Sequence, residues 1–399
     1  MKDAGDFSIL AFHQVPAMKR AHRFLFLPSA TGGGHIRASR AVADELERQG
    51  AETVIVDALK DYAPWPFSTV PDGYSRMLFW GGIVYGWVFK LLDHPRLLEP
   101  IHRLLWPWLR HSARRLLREN KADVIIVSHP LPVNAVARVA KEAGGPPVVG
   151  LTVDLMIGHA LNVSPDVDCY LVATKSVCAQ LRDRGVRTKI HETGLPVARE
   201  FEEISDTPRH TLRRELKLKQ EIPVILLMTG GVGWGDIDDL LNEMLGSEIA
   251  MQIVVVAGGN ESLRDHLLKI FGETKIRILG YVEDIHMWMR AADVLVTKAG
   301  PNTIAEALVL GIPQILTHAI PVQETPNISW ILEAEAGIWA PDPGDCVDAI
   351  TKILTDDTLA ESLRRNALRI ARPDAAKNAA NLLSQIAEAA SPFVSENKT

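Results

Sequence analysis

Short apolar runs recur along the chain, separated by helix-length stretches of mixed character. In the first half these are Arg23 to Pro28, Thr53 to Asp57, Asp123 to Ser128, Pro147 to Val153 and Cys169 to Ala173, with the mixed Lys189 to Glu192 read as a further strand. In the second they are Pro223 to Met228, Gln252 to Ala257, Lys275 to Leu279, Val294 to Thr297 and Pro313 to Leu316. Runs of that length suit buried parallel strands. Helices are expected between them, among others over Ile36 to Arg48, Asp236 to Leu245, Ser262 to Phe271, Ile285 to Arg290, Thr325 to Glu335, Asp345 to Ala371 and Ala375 to Ala390. The pattern predicts an α/β protein of two Rossmann-like doubly wound domains, 22–196 and 197–375, with residues 376–399 as a final helix and frayed tail.

Two of the predicted strands run into glycine-rich turns. The first turn is Ser29 to His35 (SATGGGH), and the second is Thr229 to Gly235 (TGGVGWG). Each joins a strand to a helix N-terminus, where free N–H groups and about half a positive charge converge on anions. No G-K-[ST] follows, so neither is a Walker A loop, and the first has three adjacent glycines instead of G-x-G-x-x-G. Gly230, Gly231 and Gly233 suit a diphosphate, because glycine lets backbone N–H groups approach closely. In the first turn, Gly33 and Gly34 precede His35. A histidine at a helix start is either a loop residue bonded to its own turn or a base kept neutral by the helix dipole.

Lys298 to Asn327 (KAGPNTIAEALVLGIPQILTHAIPVQETPN) places two strand ends beside one crevice. Thr303 and Glu306 lie on the intervening helix, and Gln323, Glu324 and Asn327 lie in the following polar loop. Glu306 suits a diol such as ribose and the loop suits sugar hydroxyls; a capping role and a plain connection remain open. Asp154, at another strand end, either orients His35, touches an acceptor or caps its turn.

Between Pro64 and Arg118 the strand–helix rhythm stops. Five of the nine tryptophans fall there, including Trp80, Trp87, Trp106 and Trp108, with Arg110 and Arg114 among leucines. Such a segment is either an insertion packed on the first domain or an interfacial element for anionic membranes. No apolar run reaches the ~20 residues that span a bilayer.

The 399 residues carry a formal net charge of −6, which disfavours wholesale nucleic-acid binding. Three separated cysteines and no H-E-x-x-H leave no metal ligand set visible at the usual spacing, so no cofactor is expected. Residues 1–21 lack a signal-peptide core and are expected to be a disordered leader, with Met18 as an alternative start.

K-A-G-P-x-T-I-A-E-A-L, then G-x-P, then Q-E-x-x-N resembles the nucleotide-sugar half of the monogalactosyldiacylglycerol synthase and processive diacylglycerol glucosyltransferase family. The GGGH turn, the stretch from Val153-Asp154-Leu155 to His159, and Gly194 to Val197 resemble it too. The chain departs by Ile36 after His35, Leu161 and Asn162 where an aromatic is usual, and Ala198 where a basic residue is usual.

The resemblance implies the GT-B fold and an inverting, metal-independent transfer of a hexose from a UDP-sugar to a membrane lipid, with diacylglycerol as acceptor. It makes His35 the base, places the nucleotide's base beside Tyr281 and Val282, gives the ribose to Glu306 and the sugar to Gln323, Glu324 and Asn327. It implies a cytoplasmic protein, peripheral on the inner face of the cell membrane. The competing readings are N-acetylglucosaminyl transfer to another lipid, an isomerase of the UDP-N-acetylglucosamine 2-epimerase type, and a silent membrane-binding protein.

Overall fold

The computed structural model describes residues 21–31, 33–70, 73, 85–229 and 237–390. Two six-stranded sheets form the framework, and every strand pairing in them is parallel. The first contains β1 (Arg23–Leu27), β2 (Glu52–Ile55), β3 (Val124–Val127), β4 (Val148–Leu151), β5 (Cys169–Val172) and β6 (Lys189–Glu192), in the order β2-β1-β3-β4-β5-β6. The second contains β7 (Val224–Met228), β8 (Gln252–Val256), β9 (Arg277–Leu279), β10 (Val294–Thr297), β11 (Gln314–Leu316) and β12 (Gly337–Trp339), in the order β12-β11-β10-β7-β8-β9. The strand order reverses between β1 and β3 in one sheet and between β7 and β10 in the other. Ligands of doubly wound sheets lie beyond the carboxyl ends of strands at such reversals.

In the first domain α1 (Gly34–Arg48), α2 (Ala58–Tyr62), α3 (85–92), α4 (Pro95–Glu119), α5 (Pro130–Glu142) and α6 (Lys175–Asp183) follow in chain order. The second has α7 (Arg199–Glu203), α8 (Arg209–Glu215), α9 (Ile237–Gly246), α10 (Glu261–Phe271), α11 (Ile285–Ala291), α12 (Pro301–Leu310), α13 (Thr325–Glu333), α14 (Pro343–Thr355) and α15 (Asp357–Ile370). The last helix, α16 (Ala375–Ala390), returns to the first sheet. Its small apolar face (Ala379, Ala380, Leu383, Ala387) packs with Phe24, Phe26 and Val42, all fully buried. Gln49 accepts from Ser384 at 2.8 Å and donates to Asn381 at 2.9 Å, fixing that return.

The chain passes between domains at Thr193 to Val197, where Gly194 has φ +91°. A Cβ there would stand 2.7 Å from Arg372 and 2.9 Å from Ala375, on the returning crossing. Glycine is required twice over, by its backbone angle and by that close approach.

Several boundaries differ from the sequence expectation. Helix α1 begins at Gly34, two residues early, because Gly33 adopts φ 79° and serves as its N-cap. The expected helix Asp345 to Ala371 is two helices. Asp356 accepts from the Leu359 N–H at 3.0 Å and starts the second, as an N-cap does. Strand β12 was not anticipated, since three residues carry no readable period. The segment 64–118 is largely helical among its described residues. Its α4 runs 25 residues and tolerates Pro100 and Pro107 inside.

Candidate active site

At the first strand-order reversal, β1 feeds the turn ending at Gly33, and α1 carries His35 in its opening turn. The His35 ring is half-buried, and its Nδ1–H donates to the Ser128 carbonyl at the end of β3, 2.7 Å away. With Nδ1 so committed, Nε2 holds the lone pair. Burial pushes the His35 pKa down to about 4, against the raising effects of the Ser128 bond and of Asp57. The imidazole is therefore neutral near pH 7, as a general base requires. Ser39 and Ser128 share a hydroxyl hydrogen bond of 2.9 Å, which ties α1 to the end of β3. His129, the next residue, lies with its ring centroid 4.8 Å from that of His35. Its Nδ1 accepts the Leu131 N–H as the cap of α5, so His129 supports this turn.

Across the interdomain crevice, the N-terminus of α12 meets the start of α1. A Cβ at Gly34 would stand 2.6 Å from the Asn302 amide nitrogen, so the two helix starts approach closely here. One turn later Arg37 reaches Glu306, with Nη1 3.4 Å from Oε1. Glu306 is 5% exposed, and burial raises its pKa against the opposing Arg37 charge. Among the described residues its Oε2 has no hydrogen-bond partner, nor has the Oδ1 of buried Asn327. Unpaired buried acceptors are costly, and a diol supplies the donors they lack. Asn327 donates to the Ala299 carbonyl at 2.9 Å, which holds it beside the start of α12.

Behind β11, the loop residues divide by role. Glu324 is 4% exposed; one oxygen pairs with Lys298 and the other accepts the Ile320 N–H at 2.9 Å. Both its oxygens are thus spoken for, one by the residue after β10 and one by the loop's own backbone. Gln323 takes the Tyr85 hydroxyl on its oxygen at 2.8 Å and donates to Asp154 Oδ1 at 3.3 Å. Just before Gln323, Val322 has φ 68°, an angle that β-branched residues rarely adopt and that concentrates at functional sites. At Gly86 an added Cβ would lie 3.2 Å from Pro321, so α3 sits directly on this loop. Asp154 does not orient His35: that ring's one Nδ1 proton goes to Ser128, and Asp154 bonds Gln323 instead.

Residues 35–197 match the family model described as monogalactosyldiacylglycerol (MGDG) synthase, and 223–356 match that described as glycosyl transferases group 1. A probable monogalactosyldiacylglycerol synthase 2, chloroplastic, of Oryza sativa subsp. indica is 32% identical over 378 residues, covering 89% of this chain and 78% of the relative. The chain belongs to the monogalactosyldiacylglycerol synthase family. Monogalactosyldiacylglycerol synthase 1, chloroplastic, of Arabidopsis thaliana is 29% identical, covering 89% and 69%. Among solved structures, Acinetobacter baumannii MurG superposes with a TM-score of 0.59 at 16% identity over 92% of this chain and all of that one. A putative UDP-N-acetylglucosamine 2-epimerase from Listeria monocytogenes gives 0.60 at 12% identity over 90% and 94%. These likenesses show the GT-B fold. As a member of the family, the protein is a UDP-sugar-dependent hexosyltransferase.

The remaining candidate positions of this family member spread over several surroundings. Gly230, Gly231, Gly233 and Trp80 lie outside the described residues. Tyr281 is 77% exposed beyond the end of β9, with Val282 half-buried beside it; Thr303 lies half-buried in the first turn of α12. Trp87 and Trp108 are 71% and 56% exposed, whereas Trp106 lies under the Arg138 guanidinium, 3.9 Å above its ring. Trp106 therefore ties α4 to α5 rather than facing outward. Arg110 is bidentate to one Glu142 oxygen at 2.9 and 3.1 Å, while Arg114 is exposed. Sequence reasoning missed Ser128, Arg37, Tyr85 and Lys298; only the S-H-P at a strand end hinted at the first.

Glu306→Gln is expected to weaken UDP-sugar binding by roughly 10–100-fold, the value of one charged hydrogen bond. Titration calorimetry with UDP and the KM for the donor check it. An unchanged affinity places the ribose elsewhere.

Proposed function

We propose that this protein transfers a hexose from a UDP-sugar to the free hydroxyl of diacylglycerol, in a metal-independent single displacement that inverts the anomeric carbon. The observation that carries this is the His35–Ser128 bond, which presents an unprotonated Nε2 at the first strand-order reversal, next to the start of α12. Nε2 takes the hydroxyl proton, the freed oxygen pair bonds to C1, and the C1–O bond to the β-phosphate breaks. UDP leaves with that electron pair. Its charge falls to backbone N–H groups, in the glycine loop after β7 and at the start of α12. Glu306 and Asn327 take the ribose and nearby hydroxyls, and Gln323 takes the sugar. Glu324 acts through Lys298 by holding the loop in place.

The acceptor assignment draws on the activity for which the family is named and on a surface feature. Leu97, Ile101, Leu104 and Trp108 are spaced four, three and four residues apart on α4 and are 42%, 42%, 72% and 56% exposed. Trp87 and Leu91 add an exposed apolar face on α3. Contiguous exposed apolar side chains with nearby arginines suit a lipid interface. No described helix is long and apolar enough to cross a membrane. The protein acts, in this reading, as a peripheral enzyme on the cytoplasmic face of the cell membrane.

The pH dependence tests the assigned roles. Burial raises Asp154 to about 6, with the Gln323 hydrogen bond opposing and the Glu324 charge adding to the rise. Asp154 is thus ionised only above that value, whereas His35 is already neutral above about 4. If the Asp154 carboxylate contacts the acceptor, kcat/KM rises with pH through an acid limb near 6. In Asp154→Asn that limb is expected to vanish, leaving the His35 limb near 4. A limb near 6 that survives the substitution removes Asp154 from the mechanism.

A further inference from the structure

Beneath α4 lies a cavity of ≈ 160 Å³ that the transfer chemistry leaves unused. Its walls are Leu59 of α2, Leu105 and Leu116 of α4, and Leu131, Ala135 and Val136 of α5. Apolar cavities of roughly that size stay dry and take up apolar ligands. Two of its lining residues distinguish it from a packing defect. Ile101 lines it and is also 42% exposed within the outward apolar stripe of α4, so the rim reaches the surface. Leu131 also lines it, and its N–H is capped by His129, whose ring lies 4.8 Å from that of His35. The cavity therefore lies between the outward face of α4 and the turn that supports His35.

We propose that this cavity receives one acyl chain of the lipid acceptor, entering from the α4 face and leaving the glycerol hydroxyl at His35. The inference rests on diacylglycerol being the acceptor and adds how it is held. Its consequence is selection by chain length: a chain too short to fill the cavity forgoes burial of each missing methylene.

The test is a series of diacylglycerols from dioctanoyl- to dioleoylglycerol in mixed micelles of fixed surface composition, with wild type, Ala135→Leu and Ala135→Phe. Wild type is expected to gain kcat/KM with chain length until the cavity is full. Ala135→Phe is expected to raise the KM for dioleoylglycerol roughly tenfold, equivalent to losing burial of about two methylenes, with UDP affinity unchanged. Ala135→Leu should fall between. A diacylglycerol carrying a mid-chain diazirine should label α4 and α5 peptides in wild type, which decides the matter even if Ala135→Phe fails to fold. Unaltered chain-length dependence in folded variants, or labelling confined to other elements, overturns the cavity assignment alone. Failure of wild type to glycosylate any diacylglycerol overturns the acceptor assignment, and this proposal with it.

Discussion

His35→Ala is expected to lower kcat for glycolipid formation by about 10²–10⁴, the usual value of a positioned general base. UDP affinity should stay within twofold, because the ring lies on the first domain and, among the described residues, hydrogen-bonds the Ser128 carbonyl alone. The melting temperature should move little, since the side chain is half-buried and gives up one hydrogen bond. A loss of rate with donor binding intact, measured by steady-state kinetics beside calorimetry, assigns the base. If His35→Ala retains a tenth or more of the wild-type rate, the proton goes elsewhere and the reading of this turn falls.

The second large effect concerns stability. Lys298→Met leaves Glu324 a buried carboxylate without its cation, since the remaining partner is the Ile320 N–H. Breaking a buried pair from one side costs about 3–5 kcal/mol. For a domain of this size that lowers the melting temperature by roughly 6–20 °C. Lys298→Met with Glu324→Leu should recover much of the loss, because an apolar pair of similar volume leaves no orphaned charge. Calorimetric melts of the three proteins decide it, and a single variant that melts with wild type contradicts the buried pair. The loss of donor selectivity expected in the single variant follows from Gln323, which neighbours Glu324 and depends on the same loop.

The two-sheet architecture was legible because most of its strands are continuous apolar runs and its helices have ordinary lengths; β10 falls where its run lies. Local chemistry resisted where one residue decides a boundary, as Gly33 does for α1 and Asp356 for α15. His35 could be singled out because its glycines and helix start are contiguous in the chain. Its partner could not, since Ser128 is 93 residues away and contributes a backbone carbonyl, which has no sequence signature. The same holds for Gln323, whose amide joins Asp154, 169 residues distant, and Tyr85, 238 distant. Sequence reasoning gave Gln323 and Asp154 separate roles and missed Tyr85, and folding made the three one hydrogen-bonded group. Trp106 shows the converse: composition grouped it with the outward aromatics, and Arg138 on the neighbouring helix draws it inward.

The most direct measurement is UDP release from a panel of UDP-hexoses by EDTA-treated protein, on anionic liposomes with and without diacylglycerol. Release that requires diacylglycerol, is indifferent to EDTA and yields a glycolipid of inverted anomeric configuration is the expected result. Release that proceeds equally without diacylglycerol, or stops with EDTA, would contradict transfer by His35 to a lipid hydroxyl.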